Sequence, residues 1–427
     1  MNCANDLLAA LDEADLKMRM LIDDLSYDQL AVPYHRGINP PIWEVGHSAF
    51  FYESFFLREF RHPDARMPGF DEIWDSLEIQ HRERWRDGLV PDRKTTFTYY
   101  HRILDEMREV LTSGVLTPYQ AYLVRYGIAH QNMHVESLIY SRQILAYPQP
   151  SFMGHVDCPD ESDRLSLSDV EIPTGKYRIG MPAEPPGEGV FCFDHEKPGF
   201  EMDVEAFAIS PTLVSCGEFR DFVEDGGYER SELWSFGGRH WLREGARRRP
   251  SYWKKDHGDW YLRRFNVWQP LPTRCPVIAV SFWEAEAYCQ WAGRRLPSEY
   301  EWEAAARGGD ARLYPWGDTM HAELVDMDGR CLGQLAVDAL ADGASPGGCR
   351  QMLGTAWEWT TNQYLPYDGF CVDRYPYMST LQFGDHKTTR GGSCATSSNL
   401  IRNTYRQAYF PGRTDVFTGF RTCLNEP

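Results

Sequence analysis

Two histidines one helical turn apart are the side chains of this sequence best suited to chemistry. His130 and His134 stand four residues apart in a segment that predicts a long helix, so both rings lie on one face, roughly 6 Å apart. This spacing suits two imidazoles that share one metal ion. The same face carries Leu123, Tyr126 and Gly127, which points it into a helical core. The alternative is a pair of hydrogen-bonded core histidines, because a buried ring nitrogen needs a polar partner.

A third imidazole for such a site is available at His47, on a second apolar segment. Its neighbours are Gly46 and the small or aromatic residues 48–52, so its ring is expected to face inward. Three neutral histidines leave open positions on a metal, which is typical of a catalytic site. Imidazole accepts iron, zinc, nickel or copper, so the ligands alone do not select the metal. Glu136 lies on another side of its helix and fits a supporting role better than that of a ligand.

Four predicted helices would position these histidines. Apolar residues recur at close to the helical period, and prolines open the second and fourth segments, where a missing N–H costs nothing. The segments span residues 2–25, 43–60, 95–111 and 117–145. Helices of this number and length indicate a four-helix bundle. The charged stretch ahead of the third helix, residues 71–86, predicts either a solvated face or a lining for an anionic substrate.

The second half of the chain has a different pattern. From residue 166 onward it is rich in glycine, holds most of the 14 tryptophans and predicts short strands joined by long loops. This pattern indicates an irregular domain of mixed helix and strand, so the sequence predicts the α+β fold class. The predicted boundaries are a helical domain at 1–147, a linker at 148–165 and a second domain at 166–427.

Composition excludes several classes of partner. With 44 basic and 62 acidic residues the formal charge is −18, which repels phosphate backbones and anionic membrane surfaces. We therefore expect no nucleic acid and no membrane as partner. No uncharged run approaches the roughly 20 residues of a membrane span, and the N-terminus lacks a signal-peptide pattern. Eleven scattered cysteines without a C-x-x-C pair indicate reduced thiols. The expected location is cytoplasmic.

Three motifs in the second half belong together. They are GRRLPSEYEWEAAAR at 293–307, GTAWEWT at 354–360, and RGGS at 390–393 followed by GFR at 419–421. With the H-x3-H-x-E motif of the first half, they resemble the ergothioneine-type sulfoxide synthases and their relatives, the selenoneine synthases and the ovothiol-pathway sulfoxide synthases. The resemblance covers nearly the whole chain. It implies a DinB-like four-helix bundle followed by a domain of the formylglycine-generating-enzyme (C-type-lectin-like) fold.

The resemblance also implies a reaction and its residues. The family uses non-haem iron, Fe(II), and dioxygen (O2) to join sulfur or selenium to the imidazole C2 of hercynine, the trimethylated betaine of histidine. Tyr364 and Tyr367 match a catalytic Y-x-x-Y motif, and the resemblance makes Tyr364 the proton donor. Asp415, ahead of the final GFR motif, matches a substrate contact. The implied iron ligands are His47, His130 and His134.

Several positions depart from the mycobacterial type of ergothioneine synthase. Met133 replaces a glutamine at a substrate-contact position, and Thr414 replaces a tryptophan. The arginine-rich loop for a γ-glutamylcysteine donor is replaced by HRERWR, in which Arg82 and Arg84 are candidate donor contacts. Tyr100 on the third helix is a further candidate substrate contact, with core packing as its alternative. These changes favour a selenol or selenosugar donor slightly, with cysteine or γ-glutamylcysteine as the alternative.

Other functions fit only parts of the sequence. Formylglycine generation needs two closely spaced cysteines after RGGS, and only Cys394 stands there. A metal-dependent thiol transferase of the DinB type would use zinc or nickel without oxygen. A binding module would use the lectin-like fold for ligand recognition and keep the histidines as structural groups. The sequence therefore favours the oxygen-dependent enzyme, with these as alternatives.

Overall fold

The computed structural model describes residues 3–154, 167–183 and 190–425. The chain folds into two compact units that divide between Phe152 and Met153, and Phe191 packs with the first unit against Tyr122 and Tyr126. Most of the predicted linker, residues 155–165, lies outside the described residues. The predicted boundaries at 147 and 166 therefore stay a prediction.

The first unit is helical. Its elements are α1 (Cys3–Asp23), α2 (Tyr27–Leu30), α3 (Pro41–Tyr52), a π-helical turn (Glu53–Leu57), α4 (Arg58–Phe60), α5 (Asp71–Trp74), a 3-10 turn (His81–Trp85), α6 (Arg93–Ser113) and α7 (Pro118–Ile144). The longer helices α1, α3, α6 and α7 pack as a bundle in which α3 contacts α6 and α7, and α1 contacts the same two helices. Between α3 and α6, residues 53–85 form the short helices and turns, with loops between them.

Local sequence explains where the bundle helices begin. Thr117 and Gln120 form a capping box at the start of α7, with Pro118 in the first turn. The side chain of Asp92 caps α6 by accepting from the N–H of Thr95. Pro41 opens α3, all of whose residues are buried. A helix buried on every side belongs to the centre of a fold, which puts the predicted third histidine in the interior.

The second unit combines four helices with short strands, among the residues described. The helices are α8 (Cys216–Glu224), α9 (Phe236–Gly245), α10 (Phe282–Ala292) and α11 (Glu299–Arg307). The strands are β1 (Val170–Ile172), β2 (Gly175–Ile179), β3 (Phe200–Val204), β4 (Phe207–Ile209), β5 (Trp253–Asp256), β6 (Asp259–Arg264), β7 (Val267–Pro270), β8 (Arg294–Arg295), β9 (Trp357–Gln363), β10 (Lys387–Arg390), β11 (Arg406–Tyr409), β12 (Thr418–Gly419) and β13 (Cys423–Leu424).

These strands form several small sheets. One has the order β1-β4-β13-β8 with antiparallel neighbours. A second has the order β11-β10-β9-β12, in which only β9 and β12 run parallel. A hairpin of β2 and β3 and a meander of β5, β6 and β7 complete the strands described. This arrangement confirms an irregular α+β unit.

Buried ion pairs join the three sequence motifs of the second unit. Arg390 of RGGS donates to Glu303 of the EYEWEA segment at 2.6 Å. Arg421 of GFR donates to both carboxylate oxygens of Glu358 in WEWT, at 2.6 and 2.8 Å. All four side chains are essentially inaccessible to solvent. A charge buried at this depth needs a partner, so these residues build the scaffold. Within the described part of the chain, no helix is both long and apolar enough to cross a membrane.

Candidate functional site

Helices α3 and α7 bring three histidines together inside the bundle. The nearest ring nitrogens of His47, His130 and His134 all lie within 4.8 Å of one another. The Nε2 atoms of His130 and His134 are 3.2 Å apart. The ring of His47 has its centroid 5.0 Å from that of His130 and 4.9 Å from that of His134. The predicted ligands thus converge, and their role as ligands stays a prediction that this geometry supports.

Hydrogen bonds orient two of these rings. The Nδ1 atom of His47 lies 2.6 Å from the carbonyl oxygen of Trp74, and Nδ1 of His134 contacts Oε2 of Glu44. Both partners are acceptors, so each Nδ1 carries the proton and each Nε2 keeps its lone pair. An imidazole anchored in this way is the common arrangement of a metal-binding histidine.

Burial favours the neutral form of His47 and His130. It lowers the pKa of His47 to about 3, with the neighbouring His134 acting in the same direction. It also lowers the pKa of His130 well below its usual value. Neutral imidazoles with unprotonated Nε2 atoms are the form that binds a metal ion. Two ring nitrogens 3.2 Å apart need either a proton or a metal ion between them, and three converging nitrogen donors fit a divalent metal ion.

Two aromatic rings pack against the histidines. The ring of Trp43 stacks on His47 with centroids 4.5 Å apart and an angle of 13°. The ring of Phe51 stacks on His130 at 3.9 Å and 15°. Both aromatic side chains are buried on α3. They restrict the rotation of the imidazoles and exclude water from the faces that they cover.

The structure separates the two arginines that the sequence predicts as donor contacts. Arg84 lies with its guanidinium carbon 3.8 Å above the ring of Trp43 and donates to Oδ1 of Asn39 at 2.7 Å. Arg82 is exposed, 5.4 Å from the ring of Tyr34. Arg84 therefore packs on Trp43, the ring that stacks on His47, while Arg82 faces solvent. A contact of either with a donor stays a prediction.

Two other predicted substrate contacts lie on the bundle helices. The hydroxyl of Tyr100 accepts from Nε2 of Gln131 at 2.8 Å, and Oε1 of Gln131 accepts from the hydroxyl of Tyr52, also at 2.8 Å. Tyr100 is thus buried in a hydrogen-bonded chain beside His130. Met133 is half-buried on α7. Substrate binding by Tyr100 or Met133 stays a prediction.

The predicted tyrosine pair lies in the second unit, directly after β9. Tyr364 and Tyr367 are 0% and 4% exposed, and neither hydroxyl has a hydrogen-bond partner among the described residues. The guanidinium carbon of Arg406 lies 4.8 Å from the ring centroid of Tyr364 and 4.1 Å from that of Tyr367. Burial raises the pKa of both phenols far above its usual value, although Arg406 acts in the opposite direction. Both hydroxyls therefore stay protonated.

Asp415 forms an ion pair with its neighbour in sequence. Both of its carboxylate oxygens accept from Arg413, from Nε at 2.8 Å and from a terminal nitrogen at 3.0 Å. The carboxylate therefore already has a cationic partner within the chain. The predicted contact with substrate stays a prediction.

Comparison with known proteins decides the family. The DinB superfamily matches residues 10–138, and the sulfatase-modifying factor enzyme 1-like domain matches residues 159–426. The chain is 30% identical to a hercynine oxygenase of Mycolicibacterium smegmatis over 97% of both chains. It is also 30% identical to the hercynine oxygenase of Mycobacterium tuberculosis, covering 93% of this chain and 94% of that one. This chain belongs to the hercynine oxygenase family.

Membership of the hercynine oxygenase family confirms three predictions made from the sequence. The resemblance is correct, the fold class is α+β with a DinB-like bundle preceding a sulfatase-modifying-factor-like domain, and the chain is an oxidative enzyme by family. A formylglycine-generating enzyme of Mycobacterium tuberculosis is 29% identical but matches only 60% of this chain. The match to the hercynine oxygenases includes the bundle, and with it the three histidines.

Two parts of the site escaped the sequence analysis. Glu44 lies three residues before His47 on the inward face of α3, and it contacts His134 across the bundle. Its Oε1 accepts from Nδ2 of Asn39 at 3.0 Å and from Oγ of Ser137 at 2.9 Å. Burial raises the pKa of this carboxyl, but His134 and the hydrogen bonds lower it to about 2 overall. The second part is the backbone carbonyl of Trp74. Every residue has such a carbonyl, so no residue type in the sequence could have indicated this contact.

Proposed function

We propose that this chain is an iron(II)- and dioxygen-dependent enzyme that joins a sulfur or selenium donor to the imidazole C2 of hercynine. The observation that carries the proposal is the convergence of three histidines inside the bundle of a chain from the hercynine oxygenase family. A donor set of imidazoles alone also accepts zinc, nickel or copper. The reaction of an oxygenase needs a metal that exchanges electrons with dioxygen, which excludes zinc, and iron is the metal that the family resemblance implies.

In this proposal His47, His130 and His134 hold the iron. The bound ion supplies electron transfer to dioxygen and attracts an anionic thiolate or selenolate. The protein contributes the orientation of the ligands: the carbonyl of Trp74 fixes His47, and Glu44 fixes His134. Because an imidazole ligand carries no negative charge, the charge of the metal would not be cancelled by its protein ligands.

The electrons of the proposed reaction balance with one molecule of dioxygen. Breaking the C2–H bond of hercynine and the S–H bond of a thiol while forming a C–S bond removes two electrons. Oxidation of the thioether to a sulfoxide removes two more. Dioxygen accepts all four, with one oxygen atom entering the sulfoxide and the other leaving as water. With a selenium donor the same balance yields a selenoxide: C–Se bond formation removes two electrons, and oxidation of the selenide removes the other two.

Reduction of dioxygen to water needs protons, and we assign one of them to Tyr364. Its phenol is buried and protonated, its hydroxyl has no partner among the described residues, and Arg406 lies against its ring. Such a group can act as a general acid when a basic oxygen atom approaches it. Tyr367, which shares the environment of Arg406, is assigned a supporting role. Without the proton, oxidation of the donor itself should compete with bond formation.

The surroundings of Arg84 favour a donor with few carboxylates. This guanidinium is engaged with Trp43 and Asn39, and Arg82 is the more accessible of the two predicted donor contacts. γ-Glutamylcysteine carries two carboxylates, whereas a selenosugar carries no negative charge apart from its selenolate. We therefore favour a selenosugar slightly, with cysteine and γ-glutamylcysteine as the alternatives.

Product analysis by mass spectrometry tests the proposal. The iron(II)-loaded enzyme is incubated with hercynine and air, and a selenosugar, cysteine or γ-glutamylcysteine is offered in parallel reactions. A selenium adduct alone identifies a selenoneine synthase, and a sulfoxide adduct identifies an ergothioneine-pathway enzyme. Adduct formation with none of the donors would refute hercynine as the acceptor. Turnover that continues under strict anaerobiosis would instead support a thiol transferase.

A substitution at the tyrosine pair tests the proton donor. Tyr364→Phe removes the hydroxyl and keeps the ring against Arg406, so with a thiol donor the products should shift from adduct toward sulfinic acid. Tyr367→Phe is the matched control, because it removes the neighbouring hydroxyl from the same environment. An unchanged ratio of the two products in Tyr364→Phe would refute its assignment.

A further inference from the structure

A buried histidine of the second unit has no role in the site described so far. His195 is 3% exposed, and neither of its ring nitrogens makes a hydrogen bond to a described residue. Its nearest charged partner is Asp194, whose Oδ1 lies 3.4 Å from Nδ1 of His195. Buried polar atoms are nearly always satisfied in folded proteins, so an unsatisfied ring calls for an explanation.

His195 is a neighbour of Tyr364. The ring centroids are 6.0 Å apart with an angle of 64° between the planes, and the ring of Phe193 stacks on the imidazole at 5.3 Å. Tyr364 also has a buried hydroxyl without a partner among the described residues. Two adjacent side chains in the same interior therefore both have unsatisfied polar atoms. The simplest group that could satisfy both is a water molecule, which bridges atoms up to about 5.6 Å apart with two ordinary hydrogen bonds.

Arg406 holds both residues in place. One of its terminal nitrogens donates to the carbonyl of His195 at 2.7 Å, and the other donates to the carbonyl of Leu365, next to Tyr364, at 2.9 Å. Its Nε donates to Glu299 at 2.8 Å. A single buried guanidinium thus binds the backbone carbonyls of His195 and Leu365. The fold therefore sets the distance between the imidazole of His195 and the phenol of Tyr364.

Asp194 orients the imidazole. Its Oδ2 accepts from Oγ of Ser379 at 3.0 Å and from the N–H of Asp373 at 3.2 Å, which anchors the carboxylate. Its Oδ1 faces Nδ1 of His195. A carboxylate beside Nδ1 favours the tautomer that carries the proton there, so Nε2 is left as an acceptor.

We propose that His195, oriented by Asp194, positions the hydroxyl of Tyr364 through one buried water molecule. The water donates one hydrogen to Nε2 of His195 and the other to the phenol oxygen. Because the phenol oxygen accepts this hydrogen bond, the hydrogen of the Tyr364 hydroxyl stays available for donation. No bond is formed or broken in this arrangement. The inference rests on the proposed function, in which Tyr364 supplies a proton, and it makes His195 a positioning residue.

A double-mutant cycle tests this inference with a thiol donor that the enzyme accepts. His195→Phe keeps the stacked ring and removes both nitrogens, and it should shift the ratio of adduct to sulfinic acid about 10-fold toward sulfinic acid. The KM values for both substrates should stay unchanged. His195→Gln, which restores a polar group, should recover most of the adduct. In the Tyr364→Phe background His195→Phe should have no further effect, because it acts through that hydroxyl.

A merely structural role would give a different result. It would produce additive effects in the double variant, equal losses in His195→Phe and His195→Gln, or changes in KM, and each of these would overturn the proposal. His386→Phe is the matched control: it alters a histidine whose backbone carbonyl accepts from the N–H of Tyr364, and the product ratio should not change.

A crystal structure separates this inference from the function on which it rests. The proposal requires an ordered water within hydrogen-bond distance of both Nε2 of His195 and the hydroxyl of Tyr364 in the unsubstituted enzyme. The same water should be lost in His195→Phe. If Tyr364→Phe leaves the product ratio unchanged while the water is present, the proton-donor assignment fails and the positioning contact stands. If no water bridges the two side chains, the positioning proposal fails whatever Tyr364 does.

Discussion

Replacing Glu44 by glutamine should weaken iron(II) binding by the three-histidine centre about 10- to 100-fold. The carboxylate accepts from three donors with its two oxygens: His134 at Oε2, and Asn39 and Ser137 at Oε1. Glutamine has nearly the same shape but only one acceptor oxygen. In either orientation of the amide, its NH2 group faces a donor, so either His134 or the Asn39 and Ser137 pair loses its acceptor.

The expected magnitude follows from two independent considerations. A partner that orients a metal-binding histidine typically contributes 10- to 100-fold to metal affinity, which corresponds to about 1.4 to 2.7 kcal/mol. A hydrogen bond to a charged group contributes about 1.5 to 3 kcal/mol. The two ranges overlap, and in either orientation of the amide His134 loses its charged acceptor, which accounts for the predicted effect.

Anaerobic titration with iron(II) against a competing chelator measures this affinity. Glu106→Gln is the matched control, because Glu106 is a carboxylate of the same unit that accepts from Arg66 and His62 and has no described contact with the three histidines. The control should bind iron(II) like the unsubstituted protein. The reasoning is refuted if Glu44→Gln stays within about twofold of that affinity, or if Glu106→Gln loses as much.

Three further substitutions test other contacts. Gly46→Ala would place its Cβ 2.6 Å from the ring of Trp74, so we expect about 1 to 3 kcal/mol less unfolding free energy by urea titration, together with weaker iron binding. Arg84→Met should weaken iron(II) binding about threefold to tenfold in the chelator assay, and Arg82→Met should not change it. Burial raises the pKa of Asp326 from 3.8 to about 6, so its stabilising contribution is complete below about pH 4 and is lost as the pH rises through 6. Asp326→Asn should remove this dependence, which amounts to about 3 kcal/mol of unfolding free energy in total and to about 1.3 kcal/mol between the two measured values of pH 5 and 7.

The histidine centre illustrates how far the sequence alone can reach. His130 and His134 could be paired because their spacing is a property of one helix, and His47 could be added because its segment is apolar. Glu44 could not be paired with His134, because the two residues are 90 positions apart in sequence and their contact depends on how α3 packs against α7. The capping box of Ser298 and Glu301 was predictable for the same reason as the histidine pair, since both partners lie in one turn.

The two arginines show where local pattern fails. Arg82 and Arg84 are two residues apart in a charged stretch, and the sequence assigned both the same role. The 3-10 turn at His81–Trp85 directs one toward solvent and the other onto the ring of Trp43. A charged segment without a hydrophobic period does not reveal its turn type, so the sequence did not show which of the two arginines faces inward.

Burial has the same chemical consequence at the histidines of the first unit and at the tyrosines of the second unit, although it shifts the pKa values in opposite directions. It lowers the pKa of His47 and His130, and it raises the pKa of Tyr364 and Tyr367. In each case the neutral form is favoured, because a charge loses more solvation on burial than a neutral group does. The neutral imidazole can bind a metal ion, and the neutral phenol can give up a proton.

Exclusion of water is therefore a property shared by the three histidines and the two tyrosines. Around the histidines it is provided by Trp43 and Phe51, which stack on the imidazole rings. Around the tyrosines the close neighbour is the cation of Arg406, which on its own would favour ionised phenols. Burial outweighs that cation, and Glu299 pairs with it. A substitution that admits water beside His47 and His130 should raise their pKa values and let protons compete with the metal ion, even where every hydrogen bond described above is kept.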